Sequence, residues 1–123
     1  MIIVISKEGN VIQKNVKNYN NLYTICNYRN DTNFEMLYSW KNEYYLYGKK
    51  TGRSGYENSY KFPNINEQYY GTLCIIKKKG DDFNSLTLNE WENYCNNYDK
   101  PFIEPVIKFQ NNKELTYEDY ESE

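Results

Sequence analysis

The apolar and polar positions in the first half of the chain follow a pattern that predicts two β-hairpins. Residues 2–6 are a β-branched apolar run, residues 7–10 carry turn residues, and residues 11–14 resume an extended pattern. Aromatic and apolar residues then recur at every second position across residues 34–41, which indicates a strand. After a short turn, residues 44–47 predict the strand that pairs with it.

Helical periodicity occurs in two places. Apolar residues spaced three and four apart across residues 19–26 predict a short helix, with Asn18 or Asn20 available as its cap. A second helix is predicted to begin after Thr87, because Glu90 three residues later completes a capping box. Its apolar face continues to Tyr98, and the following Asp-Lys-Pro sequence ends it.

The remaining strand and the fold class follow from the second half of the chain. Residues 69–78 predict a strand whose continuous apolar centre suits a central position covered on both faces. Residues 102–109 look extended and could pack along the body or form an edge. We predict an α+β domain over residues 1–110, with a mainly antiparallel sheet of about five strands and two short helices on one face. Residues 111–123 are predicted to be an acidic, disordered tail.

Composition and charge alter this picture in two respects. The chain has 15 tyrosines and 19 asparagines but no alanine and no histidine, which is typical of a very A/T-rich coding sequence. Without residues 111–123 the chain has 14 basic and 12 acidic residues, a net charge of about +2 compared with −2 for the whole. The tail could therefore fold over a basic patch and weaken contact with polyanions, or it could serve only as a solubilising end.

The sequence points to no catalytic or metal-binding chemistry. Without histidine the usual acid–base group is missing, and no pair of carboxylates stands out. Cys26, Cys74 and Cys95 are too widely spaced for a disulfide framework or a zinc site, so we expect buried free thiols and a reducing compartment. We also expect no cofactor, no signal peptide and no membrane span.

The segment 48–63 is the best candidate for a binding site, because it interleaves glycines, basic residues and aromatic rings. Glycines allow backbone amides to approach an anion, and basic residues among rings suit single-stranded nucleic acid. A protein contact and a plain solvated connection remain open as alternatives. The candidate binding residues are Tyr47, Lys49, Lys50, Arg53, Tyr56, Tyr60 and Lys61, with Lys77, Lys78 and Lys79 as a secondary basic rim.

Three blocks of the chain carry a resemblance to a known family. They are residues 45–63, with Y-G-x-x-x-G-R and E-N-x-Y-x-F-P, residues 70–73, with Y-G-T, and residues 86–92, with L-T-x-x-x-W-E. Together they resemble the central block of a small uncharacterised protein family of nucleocytoplasmic large (giant) DNA viruses. The resemblance implies a viral origin and brings no activity with it. The fragment Gly-Arg-Ser-Gly at 52–55 is also similar to part of the DNA-associated WGR domain, although the tryptophan that precedes it there is missing.

From the loop and this resemblance we expect a non-enzymatic interaction module that acts in viral gene expression or genome handling. Its partner would be a viral or host protein, and nucleic acid is possible. The alternatives are a virion structural or packaging component and a protein that binds nucleic acid directly. We expect an intracellular location, in the host cytoplasm (viral factory) or in the virion, and neither secretion nor membrane insertion.

Overall fold

The structure is a computed structural model, and it describes residues 1–98. The predicted extended segment 102–109 and the acidic tail 111–123 lie outside these residues. The elements in chain order are β1 (Ile2–Ile5), β2 (Val11–Lys14), α1 (Leu22–Ile25), β3 (Glu35–Trp40), β4 (Tyr44–Lys49), β5 (Tyr70–Lys79), β6 (Asp82–Asn84) and α2 (Leu88–Tyr98). Within this part of the chain, neither helix has the length and apolar character needed to cross a membrane.

All strand pairs in the sheet are antiparallel, in the order β2-β1-β5-β4-β3, with β6 pairing to the end of β5. The predicted α+β fold class is therefore confirmed. β5 lies at the centre, between β1 and β4, and its residues 73–76 are at most 1% exposed. This agrees with the prediction that the apolar run of this strand is covered on both faces.

The two helices lie on opposite faces of the sheet, whereas the sequence prediction placed both on one face. Trp91 of α2 packs on the face that carries Ile3, Ile5 and Ile75. Leu22 of α1 packs on the other face, in a separate core cluster. Since adjacent strand residues point to opposite sides, the buried run in β1 needs a cover on each face. One helix supplies each cover.

The helix ends also differ in part from the expected ones. α1 is a single turn preceded by Asn21, rather than a helix over 19–26 capped by Asn18 or Asn20. The N-terminus of α2 forms as predicted on the Thr87 side, because the Glu90 backbone N–H donates to Thr87 Oγ1 at 3.1 Å. The Glu90 carboxylate binds Tyr44 and Lys77 instead. It is thereby bound to the sheet.

Candidate interaction site

The chain from residue 50 to residue 69 connects β4 to β5 and contains the exposed part of the predicted site. Asn58 anchors this connection, although it is a polar residue that is only 5% exposed. Its side-chain Nδ2 donates to Ser6 O at 2.9 Å and to Gly71 O at 2.8 Å, and its Oδ1 accepts from the Tyr60 backbone N–H at 2.9 Å. The Asn58 backbone N–H donates to Tyr69 O at 2.9 Å. One side chain thus connects β1, β5 and the loop.

In the second half of the connection, residues 58–69, several side chains pack into the domain. Tyr60, Phe62 and Ile65 pack against the core cluster on the α2 face. Trp40 Nε1 donates to Pro63 O at 2.9 Å, and Trp91 Nε1 donates to the Tyr60 hydroxyl at 3.1 Å. Burial raises the pKa of Tyr60 to about 12. These contacts stabilise the fold, so the Tyr60 side chain is poorly placed to bind a partner.

The first half of the connection, residues 50–57, is exposed at every position. A turn within this segment brings Arg53 and Tyr56 together, because the Tyr56 backbone N–H donates to Arg53 O at 3.0 Å. Gly55 has φ +93°, a left-handed conformation that glycine adopts without strain, and its N–H donates to the Glu57 carboxylate at 2.9 Å. The Arg53 guanidinium lies 5.4 Å from the centre of the Tyr56 ring, and Tyr56 is 49% exposed.

A residue far away in sequence adds a second cation to this ring. Lys7, just after β1, places its Nζ 5.2 Å from the centre of the Tyr56 ring and donates to Gly55 O at 3.3 Å. The Tyr56 ring therefore has two positive charges beside it, those of Lys7 and Arg53. The backbone around it is fixed to β1 and β5 by further hydrogen bonds, from Ser59 N to Lys7 O and from Gly71 N to Tyr56 O.

Tyr28 forms the adjoining part of the site. Its hydroxyl accepts from the Thr72 backbone N–H at 3.1 Å, and burial raises its pKa. The ring then supports Lys49, whose Nζ lies 4.2 Å from the ring centre. Gly71, at φ +71°, leaves the space that the Tyr28 hydroxyl occupies, since a β-carbon there would overlap with the hydroxyl.

These groups surround a cavity of about 280 Å³, which we call the cation–aromatic pocket. Its lining residues are Tyr28, Asn33, Lys49, Thr51, Gly52, Arg53, Tyr56, Tyr70 and Gly71. Among residues 1–98, neither Lys49 nor Arg53 has a carboxylate oxygen within 4.0 Å. The pocket therefore presents two positive charges that no acidic group in the described chain neutralises.

The structure brings three of the seven predicted binding residues together here, namely Lys49, Arg53 and Tyr56. The other four lie elsewhere. Tyr47 packs its ring on Phe34, with ring centres 6.3 Å apart, and Lys50 forms an ion pair with Glu35 at 3.8 Å. Tyr60 is in the core packing, as described above. Lys61 is exposed but lines a different cavity, under residues 58–69.

The sequence did not indicate Lys7, Tyr28 and Tyr70 as site residues. They come from three separate segments, and only the strand pairing and the loop contacts bring them together. No local motif marks Lys7 or Tyr28, whereas Tyr70 belongs to the Y-G-T block. The usable signal was a weak one, the Gly-Thr after Tyr70, where a left-handed glycine leaves room for a neighbouring side chain.

The predicted basic rim at 77–79 is divided between different environments. Lys77 points inward and donates to Glu90 Oε2 at 2.6 Å, with Glu43 at 3.6 Å. The hydrogen bond to Glu90 raises the pKa of Lys77 against the opposing effect of burial. Burial alone would raise the pKa of Glu90, but hydrogen bonds from Lys77 and Tyr44 lower it.

Lys78 lies on the other face of the sheet. Its Nζ is 5.2 Å from the centre of the Tyr45 ring and 5.6 Å from that of Phe83. Lys79 is exposed at the end of β5. The three lysines therefore do not form one continuous charged surface.

Two further observations concern chemistry and relationship. Residues 1–98 contain no group of three or more Cys, Asp or Glu side chains arranged to hold a metal ion. Cys26 and Cys74 are buried and form no disulfide, and Cys95 is half-buried. No protein-family model, curated protein or solved structure matches this chain.

Proposed function

We propose that this protein is a non-enzymatic interaction module that contacts its partner through the cation–aromatic pocket. The observation that carries the proposal is the pair of cations, Lys49 and Arg53, that have no acidic partner among residues 1–98 and line one pocket with the half-exposed ring of Tyr56. Exposed rings and arginines are enriched where proteins bind other molecules.

The anchoring of the loop also supports a binding role. The bond from Gly71 N to Tyr56 O, with those of Asn58 and Ser59, fixes the end of segment 50–57 beside the sheet, so Tyr56 is positioned before a partner arrives. A site held in this way loses less conformational freedom on binding than a free loop would. Within residues 1–98 the polar lining of the pocket consists of tyrosine, asparagine, threonine, lysine and arginine, without a histidine, cysteine or carboxylate.

We place this module in the gene-expression or genome-handling apparatus of a large DNA virus. Support comes from the resemblance carried by residues 45–63, 70–73 and 86–92. Residues within these blocks shape the pocket and its anchor. Gly52 packs against the Tyr70 ring, where a β-carbon would lie 2.8 Å from the side chain, and Gly71 makes room for Tyr28.

Affinity purification from the source cells tests the proposal with two matched triple variants. The pocket variant is Lys49→Ala/Arg53→Ala/Tyr56→Ala. The control variant removes two exposed lysines and one exposed apolar side chain from the β2 region, in Lys14→Ala/Lys17→Ala/Ile12→Ala. The expected result is a partner that co-purifies with the wild type and the control but not with the pocket variant. Retention of every partner by the pocket variant would contradict the proposal.

A further inference from the structure

The size and chemistry of the cation–aromatic pocket restrict what it can hold. At about 280 Å³ it is slightly smaller than most small-molecule sites, which range over about 300–1,000 Å³. A typical protein–protein interface instead covers about 800 Å² of each partner's surface, most of it flat. The pocket is therefore suited to a group about as large as one nucleotide.

The rings of the pocket differ in how far they are already engaged. Tyr28 contacts Phe34 and supports Lys49. Tyr56 and Tyr70 take part in no ring–ring contact within residues 1–98. Tyr56 is also half exposed, and a flat group from solvent would share its ring with the Arg53 and Lys7 cations, which lie 5.4 and 5.2 Å from the ring centre. Stacking on such rings is how proteins hold the bases of single strands with little sequence preference.

The charges favour a phosphate beside that flat group. Lys49 lies against the Tyr28 ring, Arg53 and Lys7 lie against the Tyr56 ring, and each of three nearby acids has one contact of its own. Glu57 accepts from the Gly55 N–H, Glu35 pairs with Lys50 at 3.8 Å, and Glu8 lies 4.0 Å from Lys7. Asn33 adds an amide that can pair with the edge of a base.

We infer that the cation–aromatic pocket binds single-stranded nucleic acid, with a base stacked on Tyr56 and the adjoining phosphates at Lys49 and Arg53. This inference rests on the proposed function and names the partner of the same site. A double helix fits less well, because its bases are stacked inside and leave none to enter a pocket.

Fluorescence anisotropy with the full chain tests the inference. The probes are labelled 12-mers of thymidine and of uridine, with a 12-base-pair duplex as comparison. We expect single-strand binding that weakens with salt, and contact with two or three phosphates gives a slope of about −1.4 to −2 in log K against log salt. Lys49→Ala/Arg53→Ala should make this slope about 1.4 smaller. Tyr56→Ala should weaken binding by about 5- to 150-fold. Lys14→Ala/Lys17→Ala should bind as the wild type does.

The outcomes separate this inference from the proposed function. If no 12-mer binds at 25 mM salt, or if the pocket variants bind as the lysine control does, the inference is overturned. If in that case the pocket variant still loses a protein partner in affinity purification, the proposed function survives with a protein partner. If neither oligonucleotide binding nor partner capture depends on the pocket, both are wrong. Binding of the duplex as tight as that of the single strands would also overturn the inference.

Discussion

Asn58 offers a direct test of how the connection between β4 and β5 is held. Its amide donates to the carbonyls of Ser6 and Gly71 and accepts from the Tyr60 N–H. Asn58→Ala removes all of these bonds. Asn58→Asp keeps the shape and the acceptor for Tyr60, but it turns a carboxylate oxygen towards two carbonyl oxygens.

The size of the effect follows from counting the bonds. A hydrogen bond contributes about 1 kcal/mol net, and a buried partner left unsatisfied costs about 1–3 kcal/mol. With three groups affected, Asn58→Ala should lower the free energy of unfolding by about 3–4 kcal/mol, compared with a usual total of about 5–15 kcal/mol. Asn58→Asp should lose more than this at pH 7, because an unpaired charge is buried. It should recover in part at low pH, where the neutral carboxyl can donate one bond.

Urea unfolding followed by tryptophan fluorescence measures these losses, since Trp40 and Trp91 are 2% and 0% exposed. The control is Asn66→Asp, which makes the same chemical change at an exposed position in the same connection. If both Asn58 variants unfold within about 0.5 kcal/mol of this control, the side chain is not an anchor and the reasoning is refuted.

Three other predictions concern stability. Gly71→Ala should lower the free energy of unfolding by about 2–5 kcal/mol, from left-handed backbone strain and from overlap with the Tyr28 hydroxyl. Gly80→Ala, at φ +61° in open space, should lower it by only about 1–2 kcal/mol. Equal losses in thermal unfolding would contradict the overlap at Gly71. Burial raises the pKa of Tyr60 and of Tyr69 to about 12, so the free energy of unfolding should be constant below pH 10 and should fall between pH 10 and 12. Tyrosinate absorbance follows the titration, and titration of every tyrosine near pH 10 without unfolding would oppose this prediction. Glu90→Gln should lower the free energy of unfolding by about 1–2 kcal/mol at pH 7. Because the pKa of this carboxyl is lowered in the folded state, the difference in stability between variant and wild type should shrink as the pH falls below about 4. A difference that stays constant in urea titrations down to pH 3 would argue against the ion pair.

The strands were predictable from sequence because their pattern is local. Alternation marks β3, and the unbroken apolar run at residues 73–76 marks a strand buried on both faces. The position of the helices was not predicted correctly, although the same run contained the information. A sheet with two apolar faces needs a cover on each, and β1 shows the same continuous pattern in residues 2–5. The error was to read the two helices as one layer when the sheet required two.

The length of the short helix and the existence of the last strand were not predicted, for a different reason. Helical spacing over residues 19–26 arises here from only one helical turn, since Asn27 takes φ +67° and the chain leaves the helix after Ile25. A turn of four residues has little propensity of its own, and its stability comes from packing Leu22 on the sheet. β6 pairs only through Asp82–Asn84 at the end of β5, which is too short for a period to be recognised.

The candidate site was predictable only as far as it is contiguous. Lys49, Arg53 and Tyr56 are close in sequence, so their composition was enough to select them. Lys7 and Tyr28 reach the same place through strand pairing, which no local pattern encodes. Composition also selected Tyr47 and Tyr60, whose rings the fold uses in packing contacts instead. Their burial depends on the whole fold, so local composition could not predict it.

In the connection between β4 and β5, one segment stabilises the fold and another carries the proposed binding residues. Binding and folding can therefore be tested separately. Residues 58–69 hold the fold through Asn58, Tyr60 and the Pro63 carbonyl, whereas residues 50–57 are exposed at every position. A contact that contributes to binding but not to folding can be removed without unfolding the domain. Truncation of Arg53 or Tyr56 should therefore change binding with little change in stability, while substitution of Asn58 should change both, because the pocket keeps its shape only while its anchor is intact.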